Sequence, residues 1–216
     1  MRYLRQALVG LSIGLSFLSA LGYVLDLYVD GQKPPPPRPR KVCFVPLGSF
    51  PEEQLAELKR HYENRLGLTV ETVAPIQLEP SVVNTQRRQV IAEELIALIR
   101  RTHPVLANDF GVAIIGVTAE DMYIRSLKWH FAFAYREEDR FARIAVVSSA
   151  RMDPAFHGDP PDVARREARF RKVVTKNIGL MYYHLPPSRD RRSVMFGRIL
   201  GLDDLDRVRE DLEVRS

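Results

Sequence analysis

Phe110-Gly111-Val112-Ala113-Ile114-Ile115-Gly116-Val117 is an unbroken apolar run, and its reading decides the fold class. A strand with one wet face alternates apolar and polar side chains, whereas a continuous apolar run suits a strand covered on both faces. Lys41–Leu47 reads as another short buried strand, residues 68–73 as a second, and residues 129–135 and 143–149 as two more, separated by the charged turn 136–140. Helices fall between them. Ser49 with Glu52 three residues on is a capping box, Leu55, Leu58, Tyr62 and Leu66 recur at helical spacing, and Gly67 suits the C-terminal cap. Residues 85–101 carry Val90, Ile91, Leu95, Leu98 and Ile99 on one side, and Pro104 stops that helix. Residues 163–184 form a long third helix striped by Phe170, Val174, Ile178 and Met181 and ended by Pro186-Pro187. A compact turn at 193–197 and a short helix opening at 202–206 follow. Strands that first alternate with helices and later pair predict an α/β (α+β) domain of three layers with a mixed, mostly parallel sheet.

Composition excludes several classes. Hydrophobic content of 45% and charged content of 27% over 216 residues match a globular domain rather than a disordered chain. The net charge of +5 is spread along the chain among Asp and Glu, which predicts a mixed solvated surface and no nucleic-acid partner. Arg165, Arg166, Arg169, Arg171 and Lys172 are read in the same way, as a solvated face rather than a contact for anionic lipid. One cysteine, Cys43, excludes an intrachain disulfide and any Cys-rich zinc site, and its apolar neighbours mark it as a buried strand thiol.

Residues 1–30 read as a targeting segment. Arg2 and Arg5 precede an apolar stretch from Ala7 to Leu25, just long enough to span a bilayer as a helix. The two arginines keep the N-terminus inside, so the remainder is extracytoplasmic. The length of the stretch favours an uncleaved membrane anchor. Ala20-Leu21-Gly22 leaves open a cleavable signal peptide, and with it a secreted or periplasmic product. Residues 31–40, with Pro34-Pro35-Pro36-Pro37 and Pro39, form a stiff polyproline linker, and residues 41–216 form the domain.

Three segments in order resemble archaemetzincins, a family of metzincin-type zinc metallopeptidases. The first is Ile115-Gly116-Val117-Thr118-Ala119-Glu120-Asp121-Met122-Tyr123. The second runs from Phe131-Ala132-Phe133-Ala134 to Arg143-Ile144-Ala145-Val146-Val147-Ser148-Ser149-Ala150-Arg151. The third covers residues 172–206 with its Ser193-Val194-Met195 turn. The resemblance implies a metzincin-like domain with a Met-turn at Met195 and a zinc site on the long helix. There the family carries His-Glu-x-x-His-x-x-Gly-x-x-His: two histidines one turn apart, a third beyond a glycine bend, and a glutamate that takes a proton from zinc-bound water. Matching the motif on Ile178-Gly179 puts Lys176 at the first histidine, Asn177 at the glutamate and Leu180 at the second histidine. Tyr183 then stands at the glycine and Pro186 at the third histidine. The ligands and the base are missing, so the zinc cofactor expected for the family is not expected here.

Two further expectations follow. Lys176 either points into the former zinc pocket and pairs with Asp203, Asp204 or Asp206, or is solvated beside Arg169 and Lys172. His130, Phe131, Lys176 and His184 are nominated as cleft residues, with a peptide or protein partner lying along the edge strand 129–135. The leading functional expectation is a non-catalytic, exported, membrane-anchored domain. The alternatives are a zinc peptidase with ligands relocated to His130, His157 and His184, whose spacing matches no metal motif, and a tethered assembly factor.

Overall fold

The computed structural model describes residues 37–137, 143–197 and 199–212. The N-terminal segment and most of the linker lie outside these residues, as does the greater part of the turn at 136–140. Among the described residues no helix is long and apolar enough to cross a membrane.

Five strands make the main sheet: β1 (Lys41–Leu47), β2 (Val70–Thr72), β5 (Val112–Thr118), β7 (Ala134–Arg136) and β8 (Ile144–Ser148), in the order β2-β1-β5-β8-β7. All pairings are parallel except β7 with β8. A second sheet joins β3 (Val83–Asn84), β4 (Gln89–Ile91) and β6 (Met122–Tyr123). The helices are α1 (Glu52–Leu66), α2 (Ala92–Thr102), α3 (Pro104–Asn108), α4 (Val163–Met181) and α5 (Leu202–Arg207).

The two-sided reading of the central run holds. Every residue of β5 is buried, and successive side chains enter different cores. Ala113, Ile115 and Val117 join Val42, Phe44, Ala145 and Val147 against Leu58 and Tyr62 of α1 and Phe170, Val174 and Ile178 of α4. Val112 and Ile114 join Cys43, Val45, Ile144 and Val146 against Leu95, Ile96, Leu98 and Ile99 of α2. The sheet is therefore the middle of three layers. At Gly116 a Cβ would stand 2.8 Å from Ile99 Cδ1 and 2.9 Å from Leu47 Cδ1, so only glycine lets α2 approach β5 this closely.

Several boundaries differ from expectation. Residues 85–101 are not one helix: Gln89–Ile91 is strand β4, held parallel to β6 by Val90 N donating to Asp121 O at 2.8 Å, and α2 begins only at Ala92. The edge strand is three residues long, not 129–135, because the segment before it turns to the second sheet. Ala132 N donates to Met122 O, and the His130 carbonyl accepts from Gln89 Nε2 and Arg87 Nη2. Ser49 does not cap α1; Pro51 stands at the N-cap without a side-chain hydrogen bond, and Glu52 and Glu53 meet the positive end of the helix instead. Gly67 is the left-handed cap expected, at φ 61°. The long helix is the fourth rather than the third, and it stops at Met181 because the chain reverses through His184 at φ 54°.

Arg169 overturns the solvated-face reading. Its side chain is 6% exposed and clamps Asp206 of α5 in a bidentate pair, Nε to Oδ1 at 2.7 Å and Nη2 to Oδ2 at 2.6 Å, while Nη1 donates to Met152 O. Arg171 reaches Glu210, and Lys172 donates to Leu205 O. These cations hold the C-terminal segment onto α4.

Candidate functional site

Lys176, Leu180 and Tyr183 follow one another at one-turn spacing on α4 and just beyond it, all half-buried. Lys176 Nζ donates to Phe196 O at 2.5 Å and Gly197 O at 3.3 Å, so its acceptors are carbonyls of the turn that follows α4. The pairing expected with the acidic residues of α5 is not made: Asp206 is taken by Arg169, and Asp204 by Arg207 and the Leu200 amide, while the half-buried Lys176 turns to backbone carbonyls instead. Burial, helped by the nearby Arg136 charge on β7, pulls its amine down from the usual lysine range to about 8.

Asn177 faces away from the other nominated residues. It is buried, and its Nδ2 donates to Val173 O at 2.9 Å, back along its own helix. Tyr183 OH lies 3.5 Å from Leu66 O at the end of α1, and its ring meets Tyr182 edge-on. Pro186 is exposed. His184 is half-buried, its Nε2 has no hydrogen-bond partner among the described residues, and burial and the Arg38 charge hold its imidazole below the ordinary range.

Met195 lies beneath the helix. A Cβ on Gly179 would stand 2.5 Å from Met195 Sδ and 3.2 Å from its Cε, so the thioether rests directly on the glycine backbone of α4. Ser188 N donates to Met195 O at 2.7 Å, which pins the turn to the strand-like segment leaving the helix. Gly179, Met195 and Lys176 together join α4 to the turn at 193–197.

The remaining nominees lie elsewhere. His130 is exposed, and its backbone rather than its ring is engaged. Phe131 meets Phe133 edge-on, and the Arg151 guanidinium lies 4.5 Å from its ring centre. Sequence reading passed over the network this belongs to. Arg151 forms a bidentate pair with Asp121 at 2.7 Å for both bonds, Gln89 Nε2 donates to the same carboxylate, and Arg87 Nε donates to Gln89 Oε1. Asp121 and Arg151 both stand in segments that drew attention, but partners thirty residues apart leave no local signal of their pairing. His157 meets this network through the Arg151 carbonyl, and its ring lies edge-on to Phe156. Among the described residues no three His, Cys, Asp or Glu side chains gather into a metal-binding group.

Comparison with known proteins places this geometry. No family model matches the chain. The archaemetzincin of Pyrococcus furiosus is 27% identical over 149 residues, 65% of this chain and 72% of that protein. The archaemetzincin of Methanocaldococcus jannaschii is 27% identical over 139 residues, 64% of this chain and 70% of that protein. Among solved structures, the archaemetzincin of Methanopyrus kandleri superposes with a TM-score of 0.60 at 25% identity, over 81% of this chain and 89% of its own. A zinc-dependent peptidase from Methanocorpusculum labreanum superposes with a TM-score of 0.63, over 79% of this chain and 94% of its own; at 19% identity it speaks for the fold alone. In sequence and in fold, this chain is archaemetzincin-like.

Proposed function

We propose that the domain is a non-catalytic relative of the metallopeptidases whose scaffold it shares, held outside the cytoplasm by its N-terminal segment, and that it binds an extended peptide or protein strand along β7. One observation carries the reading. The amine of Lys176, at the position matched to the first zinc-binding histidine, is spent on the carbonyls of Phe196 and Gly197. An ammonium has no lone pair to offer a cation, and it repels one.

The residues at the other matched positions fit zinc no better. The Asn177 amide is turned into its own helix, Leu180 is hydrocarbon, the Tyr183 hydroxyl lies toward Leu66 O, and Pro186 has no donor side chain. The architecture around the position is nevertheless kept, with Met195 seated on Gly179. β7 stands at one end of the strand order of the main sheet, and the end of a sheet is where an added strand docks.

Two measurements on the purified full chain in detergent test this. Elemental analysis should find no stoichiometric zinc, and proteolysis should be absent with and without chelator; tightly bound zinc together with chelator-sensitive cleavage overturns the reading in favour of relocated ligands. A peptide library should yield binders that slow amide exchange at 134–136. Absence of any binder removes the strand-binding half and leaves the tethered assembly factor.

A further inference from the structure

Two loops of the second sheet meet at the surface. The β3–β4 turn at residues 85–88 is exposed throughout, and so is the segment 125–130 that follows β6. Arg87 ties them together: its Nη2 donates to Trp129 O at 3.3 Å and His130 O at 2.8 Å, and Gln89 Nε2 reaches the same His130 carbonyl. The guanidinium also lies 4.0 Å from the centre of the Tyr123 ring, whose hydroxyl accepts from Asn84 Nδ2. The two loops are thus held in one fixed arrangement.

Charge on this surface is unbalanced. The acceptors of Arg87 are a carboxamide and two carbonyls, so no carboxylate neutralises it. Arg88 and Lys128 are exposed and make no hydrogen bond or ion pair among the described residues. The carboxylates at the border are already engaged: Glu94 with Arg125 at 3.0 Å, Glu93 with the amides of Arg125 and Ser126, and Asp121 with Arg151. Arg88 also stands at φ 53°, a conformation glycine adopts more cheaply, so the turn itself does not call for an arginine. Beside these cations Trp129 is 52% exposed and Leu127 is 40% exposed.

An occupant of this surface must bring both negative charge and an apolar side chain. Unpaired cations around an exposed indole are the chemistry of an interface anchor. A polynucleotide would need a longer track of cations for successive phosphates, and Glu93 and Glu94 bound this one. An acidic peptide with an apolar residue among its carboxylates meets both demands. We propose that loops 85–88 and 125–130 form a docking surface for such a peptide, with its carboxylates on Arg87, Arg88 and Lys128 and its apolar residue on Trp129. This proposal goes beyond strand addition at β7 and does not depend on it.

Trp129 is the single tryptophan of the chain, so its emission reports this surface alone. Titrating the full chain in non-ionic detergent with the capped peptide Glu-Asp-Leu-Glu-Asp-Leu should shift that emission to the blue, saturably. The amide analogue Gln-Asn-Leu-Gln-Asn-Leu should not. Arg88→Gly with Lys128→Ala should weaken binding roughly tenfold, the loss of two exposed charge pairs. Tm should not fall, since neither side chain has a partner to lose among the described residues and glycine suits the turn. No shift with the acidic peptide, equal binding of the amide analogue, or unchanged affinity in the double variant each overturns the proposal. Tighter binding of a thymidine hexanucleotide than of the acidic peptide overturns it in favour of nucleic acid. Amide exchange at 134–136 keeps the two proposals apart: absence of protection there leaves this surface standing, and a silent Trp129 leaves strand addition at β7 standing.

Discussion

Replacing Arg169 by Met should cost the domain about 3 kcal/mol. The guanidinium makes two charge-assisted bonds to Asp206 and a third to the Met152 carbonyl, with 6% of its side chain exposed. Removing one partner of a buried pair costs about 3–5 kcal/mol, because a charge is left behind without its counterion. Asp206 is 43% exposed and regains water, which places the loss at the lower end, and the methionine stem fills the volume of the arginine stem. For a domain of this size each kcal/mol moves Tm by roughly 2–4 °C, so a drop of about 6–12 °C is expected. Thermal and urea unfolding of the full chain, followed by far-ultraviolet circular dichroism, reads it. Asp206→Leu added to Arg169→Met should recover part of the loss, since an apolar pair leaves no stranded charge. The hydrogen bonds from Arg169 hold the Asp206 carboxyl below the usual range. Its contribution is complete above the unfolded value near ~4 and disappears as pH falls through the lower folded value, so the gap between parent and variant should close in acid. A change below about 0.5 kcal/mol at neutral pH, the ordinary surface response, would refute the clamp.

Lys176 titrates in the opposite sense to a salt-bridged lysine. Its folded value of about 8 lies below the unfolded one, so between the two the unfolded chain holds more protons and stability should rise as pH climbs from about 8 toward 10.5. Lys176→Met should remove that rise from the urea midpoint. Gly179→Ala forces a methyl group against Met195 and Leu212; despite the better helix propensity of alanine it should destabilise by about 1–3 kcal/mol, and Met195→Ala in the same chain should relieve the clash. Additive losses in that double variant would separate the turn from the helix.

The parts of the fold legible in the sequence were those where one residue type answers one environment. Residues 112–117 could be apolar without alternation only because α2 and α4 cover both faces of β5, whereas Phe110, at the start of the same run, lies outside the strand and is exposed. Residues 89–91 misled because an apolar pair at the start of a helical stripe also serves a short strand, and only the distant Met122 and Tyr123 decide between them. Residues 129–133 alternate like a strand, yet Gln89 and Arg87 capture the His130 carbonyl and draw the backbone away from β8. The basic run on α4 looked solvated because its acceptors, Asp206 and Glu210, lie almost forty residues later. At the candidate site, the spacing of Lys176, Leu180 and Tyr183 was legible from helical periodicity. That Lys176 would find carbonyls rather than carboxylates was not, because the direction of an amine depends on how the turn at 193–197 folds back.

The clamp on α4 bears on the order in which the chain becomes native. Residues 202–212 supply Asp206 and Glu210 to the arginines of α4 and Asp211 to Arg65 of α1, and Arg209 N bonds Arg192 O. They are synthesised after α1 and α4. Until they emerge, Arg169 has no counterion and the groove that receives Leu205 lies open. The clamp therefore cannot close on a nascent chain until residues 202–212 have followed α4 out of the ribosome.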